Sequence, residues 1–328
     1  MKFVKAEHIV VFGGSQLALE FLKSLQKKKI AFHYFTNRRQ LNDYLINNLS
    51  LKNNLIKNKI KFNQTEDINK NKLIKKIFTK KSLGIGIGLP WQFKEKLLKL
   101  MNPNLVDVMG IPMPLYRGGA HYTWMILNNN RLGGCVLQNI DKNTFQGNKD
   151  TNKYFLKKEY TYPKKLINPK DYFVYSSKIE AKFLIQFLNK VKKNKSFHLR
   201  ELSKKNSTLF PRLMGKINSY INWDLDVDEL VRFINAFSDP YPGAQTFLGN
   251  NKVILKNAKI FKKNNFHSYS SGIITNFLEN KVFICAKGGI LNATCEFLED
   301  KKKLKINIGE RFITKISYLE KAKTHKKF

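Results

Sequence analysis

Residues suited to acid–base and anion-binding chemistry lie close together in the stretch from Leu105 to Trp124. This stretch contains the carboxylate of Asp107, the guanidinium of Arg117 and the imidazole of His121. A carboxylate accepts hydrogen bonds and protons, a guanidinium pairs with anions, and an imidazole donates or accepts a proton near neutral pH. Such a set is suited to proton transfer and to the binding of an anionic group.

The local pattern around these residues predicts a strand, a loop and a helix in succession. The apolar run Leu105–Val108 predicts a short buried strand, the next residues are rich in proline and glycine, and a helical pattern begins at His121. Open α/β sheets bind their ligands at the carboxyl ends of the strands. The stretch is therefore a candidate reaction or binding site.

Two earlier segments also end in turns suited to ligands. His8–Phe12 predicts a strand that leads through Gly13-Gly14-Ser15 into a helix over Gln16–Lys27, which is a Rossmann-like opening without the GxGxxG fingerprint. Ser82–Leu89 predicts a strand with alternating glycines that ends at Pro90-Trp91. Glycines within a strand indicate either tight helix packing or the close approach of a ligand, and both interpretations stay open.

Four features in this order resemble the formyltransferase family, which includes methionyl-tRNA formyltransferases and sugar-nucleotide N-formyltransferases. They are the first strand with its glycine turn, the glycine strand ending in Leu-Pro, the loop Met113–Gly118, and a later Trp223…Pro242-Gly243-Ala244 segment. The family's active-site loop reads roughly Asn-x-His and then Leu-Pro-x-x-Arg-Gly. In this chain Asp107 stands at the Asn position and Met109 at the His position. The Pro-x-x-Arg-Gly part of the motif is therefore present, and the Asn-x-His part is altered.

The resemblance implies an α/β fold, with a Rossmann-like N-terminal domain followed by a small OB-like β-barrel domain. The expected boundaries are 1–191 for the first domain, 192–206 for a linker, and 207–328 for the helix-led barrel domain. The implied activity is transfer of a formyl group from 10-formyltetrahydrofolate to an amine of a sugar nucleotide or of methionyl-tRNA. The alternative is a catalytically inactive relative that binds a folate or a nucleotide.

The resemblance also assigns roles to individual positions. The pocket for the pterin of the formyl donor would be lined by Gly86, Gly88, Leu89, Pro90 and Trp91. The family's catalytic aspartate lies in an Asp-Thr-Gly-Asp segment, which Asp150-Thr151-Asn152-Lys153 matches half-way. An ungapped alignment would instead place Phe145 at that position.

Two hypotheses follow from the altered motif. In a rebuilt site, His121 supplies the donor or base, Asp150 orients it, and Asp107 handles a proton or binds the amine. In a catalytically inactive relative, the fold and the ligand pocket are kept and catalysis is lost, because a carboxylate repels an oxyanion and a thioether offers no useful hydrogen-bond donor. In both cases Arg117 fixes the loop or binds an anion.

The formal net charge of +36 has two interpretations. Only eight of the sixty basic residues are arginines, and the lysines are interleaved with asparagines along the whole chain. Nucleic-acid sites favour arginine for its bidentate fork, so this pattern indicates a coding bias. A real anionic partner, tRNA or a nucleotide diphosphate, is the other interpretation.

The remaining composition predicts a cytoplasmic protein with no membrane span and no metal. Apolar runs are shorter than the roughly 20 residues that a spanning helix needs. Cys135, Cys285 and Cys295 are odd in number, lie in apolar surroundings and lack metal-ligand spacing. They are expected to be buried thiols in a reducing compartment. The sequence does not indicate an oligomeric state.

Overall fold

The computed structural model describes residues 1–140, 153–297 and 306–325. The chain divides into two compact units. The first unit comprises residues 1–115, 132–161 and 173–208, and the second comprises 116–131, 162–172 and 209–328. The predicted linker at 192–206 stays a prediction; the change from first to second unit follows residue 208. Among the described helices, none has the length and apolar character needed to cross a membrane.

The secondary structure of the described residues alternates strands and helices in the first half and is mainly strands in the second. The strands are β1 (His8–Gly13), β2 (Phe32–Thr36), β3 (Asn63–Gln64), β4 (Ser82–Ile87), β5 (Leu105–Met109), β6 (Arg117–Gly118), β7 (Leu132–Asn139), β8 (Lys153–Tyr154), β9 (Leu156–Thr161), β10 (Arg200–Glu201), β11 (Leu209–Phe210), β12 (Ala244–Leu248), β13 (Asn251–Lys263), β14 (Ile274–Leu278), β15 (Lys281–Ala286), β16 (Gly289–Phe297) and β17 (Phe312–Ile313). The helices are α1 (Gln16–Lys27), α2 (Arg38–Asn42), α3 (Leu51–Lys57), α4 (Lys72–Ile77), α5 (Glu95–Met101), α6 (His121–Leu127), α7 (Pro169–Lys192), α8 (Gly215–Asn218), α9 (Val227–Ala236) and α10 (Ile316–Thr324), with 3-10 turns at Ile68–Lys70 and Ser268–Ser270.

The first unit is built on a seven-stranded mixed sheet in the order β3-β2-β1-β4-β5-β7-β9. The first five of these strands are parallel, and β7 pairs antiparallel with both of its neighbours, β5 and β9. Side chains of β1 alternate between two apolar clusters, with Ile9 and Val11 in one and Val10 and Phe12 in the other. Because successive strand residues point to opposite faces, a fully apolar strand indicates a sheet covered on both sides. The expected α/β fold class is confirmed.

The turn after β1 has the local chemistry that its sequence predicted. Ser15 is extended and its side chain accepts a hydrogen bond from the backbone of Ala18, which caps α1. Gly13 has φ +102°, and a Cβ there would collide with the carbonyl oxygen of Ile87 at the end of β4. Glycine is therefore required where the first and fourth strands end side by side.

The second unit contains a curled antiparallel sheet in the order β14-β15-β16-β13-β12-β17. The pairing of β13 with β16 shifts register at two points, and such irregularities bend a strand and increase its twist. The sheet therefore forms a half-barrel, which confirms the expected C-terminal β domain. Asp226 caps α9 by accepting from the backbone of Glu229 at 2.8 Å, as the spacing predicted.

Candidate functional site

The ends of β1 and β4 are tied together by a buried glutamine. The Nε2 atom of Gln40 donates to the carbonyl oxygen of Gly88 at 2.6 Å and to that of Gly14 at 3.2 Å. Gln40 is only 3% exposed, so this amide is shielded from water and its bonds are well protected. Sequence reasoning missed Gln40, because a glutamine in a polar segment gives no local sign of such contacts.

The alternating glycines of β4 are explained largely by packing. A Cβ on Gly84 would lie 2.6 Å from Leu105 Cδ1, and a Cβ on Gly86 would lie 2.7 Å from Leu89 Cδ1. Gly88 differs from both, because it is exposed, has φ +61°, and its Cβ would approach only the carbonyl oxygen of Gly14 at 3.2 Å. A flat ligand therefore has access to the backbone at Gly88 but not at Gly86.

The residues after Gly88 separate into an accessible pair and a buried anchor. Leu89 and Pro90 are half-buried. Trp91 is 7% exposed, packs in the apolar cluster beneath the sheet, and donates through Nε1 to the carbonyl oxygen of Glu66 at 3.0 Å. Of the five predicted pterin-pocket residues, the structure leaves three open to a ligand, Gly88, Leu89 and Pro90.

Asp107 and Met109 lie on the same face at the end of β5, as their spacing predicts. Asp107 is 6% exposed and accepts a hydrogen bond from Nε2 of Gln138 at 3.0 Å, across the β5–β7 pairing. Met109 is half-buried against an apolar cluster that includes Met113 and Val136. This strand end therefore offers one hydrogen-bond-accepting carboxylate beside an apolar surface.

A buried glutamate lies directly beside the end of β5. Glu180 on α7 is 2% exposed, and the Tyr160 hydroxyl donates to its Oε1 at 2.7 Å. Its Oε2 is 2.9 Å from the position that a Cβ on Gly110 would occupy. Burial raises the pKa of the Glu180 carboxyl to about 8, although the Tyr160 hydrogen bond acts to lower it. Sequence reasoning missed this residue, because it lies within the predicted helix and its partner belongs to another element.

His121 is the first residue of α6 and follows Ala120, which has φ +56°. Its Nε2 atom is buried and makes no hydrogen bond in the structure as described. Its ring centroid lies 4.0 Å from that of Tyr122. Burial lowers the pKa of His121 to about 4, so the imidazole is neutral at physiological pH. A neutral imidazole with an unengaged nitrogen is suited to accept or donate a hydrogen bond.

Arg117 lies in a short strand that is paired with another strand of the second unit. β6 runs parallel to β11, with Arg117 opposite Leu209, and the Tyr116 ring stacks on Phe210 at 5.3 Å. A Cβ on Gly118, at φ +98°, would collide with the carbonyl oxygen of Phe210, so the glycine of the Arg-Gly pair is needed for this backbone approach. The Arg117 side chain is half-buried.

The predicted site residues are thus distributed over both units. Asp107 and the residues from Gly86 to Trp91 belong to the first unit, whereas Arg117 and His121 belong to the second. Asp150 lies outside the described residues. Within the described ranges, no cluster of three His, Cys, Asp or Glu side chains could hold a metal ion.

Comparison with known proteins agrees with this geometry. Residues 214–309 match the family described as "Formyl transferase, C-terminal domain". The methionyl-tRNA formyltransferase of Borrelia duttonii (strain Ly) is 26% identical over 200 residues, which are 61% of this chain. The C-terminal part of this chain is therefore similar to formyl transferases, as is a 200-residue stretch of it to a methionyl-tRNA formyltransferase. The match spans 62% of the Borrelia protein, less than two thirds of that relative's length.

Solved formyltransferases share the fold of this chain at low sequence identity. WlaRD, a sugar 3N-formyl transferase, has a TM-score of 0.60 and 18% identity, over 89% of this chain and 98% of WlaRD. The N-formyltransferase from Helicobacter canadensis has a TM-score of 0.56 and 17% identity, over 90% of this chain and 100% of that protein. Both likenesses extend over the α/β unit as well as the C-terminal domain, so the fold of the family is present in both parts of the chain.

Proposed function

We propose that this protein transfers a formyl group from 10-formyltetrahydrofolate to an amine of a sugar nucleotide or of methionyl-tRNA. The observation that carries the proposal is the formyl transferase C-terminal domain at residues 214–309, preceded by an α/β unit with the family's fold. Formyl transfer needs a folate pocket, a base for the amine proton and donors for the developing oxyanion.

The folate-type donor is supported by the contents of two similar structures. The WlaRD structure was determined with dTDP and 5-N-formyl-THF, and the Helicobacter canadensis structure with folinic acid and dTDP-3-aminofucose. In this chain the pterin would lie against Gly88, Leu89 and Pro90. The exposed backbone at Gly88, where no side chain fills the approach, fits a flat ring system.

His121 is the proposed base. As the amine nitrogen forms its bond to the formyl carbon and the bond from that carbon to the donor nitrogen breaks, a proton must leave the amine. A neutral imidazole accepts it at Nε2, the atom that has no hydrogen bond in the described structure, and then delivers it to the donor nitrogen as tetrahydrofolate leaves. Asp107 is proposed to hold the amine, because its carboxylate accepts hydrogen bonds and attracts the positive charge that develops on nitrogen. Asp150 remains the proposed orienting carboxylate.

A non-catalytic relative that binds a folate or nucleotide is the second candidate. It is favoured by the chemistry at the end of β5, where Met109 supplies no donor and Asp107 already accepts from Gln138. Removal of one oxyanion donor typically lowers the rate by about 10²–10³-fold. A family member without both donors would keep the pocket and lose most of the rate.

Variants at the strand end distinguish the two candidates. The purified protein is incubated with 10-formyltetrahydrofolate and a panel of amino-sugar nucleotides and methionyl-tRNA, and formylated product is measured by mass spectrometry. Under the proposed function the wild type forms product with one acceptor class. If only the double variant Asp107→Asn, Met109→His forms product, the wild type is the non-catalytic relative. If neither protein binds a reduced-folate analogue or a nucleotide in calorimetry, both candidates are refuted.

A further inference from the structure

The buried pair of Tyr160 and Glu180 joins three elements of the first unit. Tyr160 belongs to β9, Glu180 to α7, and Gly110 is the residue that follows β5. The Tyr160 hydroxyl donates to Oε1 at 2.7 Å, and Oε2 occupies the space in which a side chain at position 110 would begin. The carboxyl group therefore lies directly beneath the backbone that leaves β5.

Glycines make room for this arrangement at three positions. A Cβ on Gly110 would lie 2.9 Å from Glu180 Oε2, and a Cβ on Gly133 would collide with the Tyr160 ring. A Cβ on Gly134 would lie 3.1 Å from the Cα of Pro112, in the loop after β5. The backbone at Gly110 and Gly133 therefore packs closely against the Tyr160–Glu180 pair, and the backbone at Gly134 packs against Pro112. Close-packed interiors transmit small displacements.

Among the described residues, Tyr160 on β9 hydrogen-bonds the Glu180 carboxyl and no cation pairs with it. Cys135 on β7 interacts with the carboxyl electrostatically. Gly110 contributes no charge. The positive charge of Lys158 acts to lower the pKa of Cys135. Within the part of the chain that the structure describes, the pKa of Glu180 is displaced by burial, which raises it, and by the Tyr160 hydrogen bond, which lowers it. The group is therefore a neutral carboxylic acid at pH 7, and it becomes a buried anion at alkaline pH.

We propose that Glu180 is a positioning residue for the end of β5, which holds Gly110 and thereby the Asp107–Met109 strand end in one arrangement. The neutral carboxyl packs against Gly110 without attracting water. Its ionisation introduces an anion that must be hydrated, and the loop after β5 must then move to admit water. Glu180 acts through Gly110 and does not itself reach the reactants, since it is 2% exposed. The kinetic part of the inference rests on the proposed function; the structural part does not.

Hydrogen exchange tests the structural part directly. Protection factors are measured by mass spectrometry for peptides that cover residues 105–115, between about pH 6.5 and about pH 9. Because the fraction of ionised Glu180 rises steeply over this interval, we expect wild-type protection to fall about tenfold. Glu180→Gln keeps a neutral group of the same shape and is expected to remove this change.

A second variant and a control keep the test decisive. Tyr160→Phe removes a hydrogen bond that favours the ionised form, so the midpoint of the wild-type change should move to higher pH. Glu320→Gln, at an exposed helical position, should leave the wild-type behaviour intact. A wild-type profile that Glu180→Gln and Tyr160→Phe both leave unaltered would overturn the proposal.

The kinetic consequence separates this inference from the proposed function. In the wild type, kcat for formyl transfer should fall on the alkaline side with the same midpoint as the exchange, and Glu180→Gln should lack that limb with little change in KM. An exchange change without any transfer would support the positioning role and refute the proposed function. Transfer with an unaltered alkaline limb in Glu180→Gln would refute the positioning role and leave the function standing.

Discussion

Glu180 should make the folded protein less stable as the pH rises, and Glu180→Gln should remove that dependence. Burial raises the pKa of the carboxyl from 4.5 to about 8 in the folded state. Between these two values the folded state holds a proton that the unfolded chain has released. The stabilising contribution is therefore complete below the unfolded pKa and is lost as the pH rises towards the folded pKa.

The magnitude follows from the width of this interval. Each unit of pKa displacement corresponds to about 1.4 kcal/mol. Between about pH 5 and about pH 8 the free energy of unfolding should fall by about 3.5 kcal/mol through this one group, on an order-of-magnitude basis. Glu180→Gln is expected to be close to neutral at about pH 5, since an amide oxygen can still accept from Tyr160, and to become progressively more stable than the wild type at higher pH.

Denaturant titrations of the wild type, Glu180→Gln and Glu320→Gln at three pH values measure this difference. All other titrating groups are shared, so their effects cancel between wild type and variant. The Glu320→Gln control should follow the wild-type pH dependence. Unfolding free energies of Glu180→Gln and wild type that stay parallel from about pH 5 to about pH 8 would refute the reasoning.

Four further predictions concern the pocket, the histidine and the charge, two of them on the histidine. Gly88→Val should abolish binding of a reduced-folate analogue in calorimetry, whereas Gly249→Val, at a similar φ of +58° with open space around it, should strain the backbone equally and leave binding intact. Retained binding in Gly88→Val would remove the folate assignment. His121→Ala should lower formyl transfer far more than the exposed control His198→Ala or than Met109→Ala; equal rates would exclude His121 as the base. Because the folded pKa of His121 is about 4, below that of the unfolded chain, its contribution to stability should be lost on acidification from about pH 6.5 to about pH 4, and His121→Ala should lack this loss in urea titrations. If the +36 charge is a coding bias, tRNA affinity in filter-binding assays should be micromolar or weaker at physiological salt and indifferent to tRNA identity; a strong preference for initiator methionyl-tRNA would contradict this.

The elements of this fold were predictable where local patterns decide them. The apolar run before Gly13 and the serine after Gly14 predicted β1 and the cap of α1, and Asp226 predicted the start of α9. Apolar periodicity and capping are read from neighbours in the sequence, so they do not depend on tertiary context. The predicted strand Ser82–Leu89 ends at Ile87 instead, because Gly88 takes a positive φ and leaves the sheet.

The candidate site was less predictable because its contacts join distant residues. Gly86 and Gly88 are alike in sequence, yet Leu89 covers one and leaves the other exposed. Nothing near Glu180 in the sequence indicates a tyrosine twenty residues earlier as its hydrogen-bond partner. The same holds for Gln138 opposite Asp107, since strand register alone brings the two together.

The most direct test of the central claim is transfer of an isotopically labelled formyl group by the wild-type protein. Labelled 10-formyltetrahydrofolate is supplied with an amino-sugar nucleotide or with methionyl-tRNA, and the acceptor is examined by mass spectrometry. The proposed function predicts the label on the acceptor amine, with the yield strongly reduced in His121→Ala and unchanged in His198→Ala. A wild-type protein that binds the folate analogue but leaves both acceptor classes unlabelled would contradict the account.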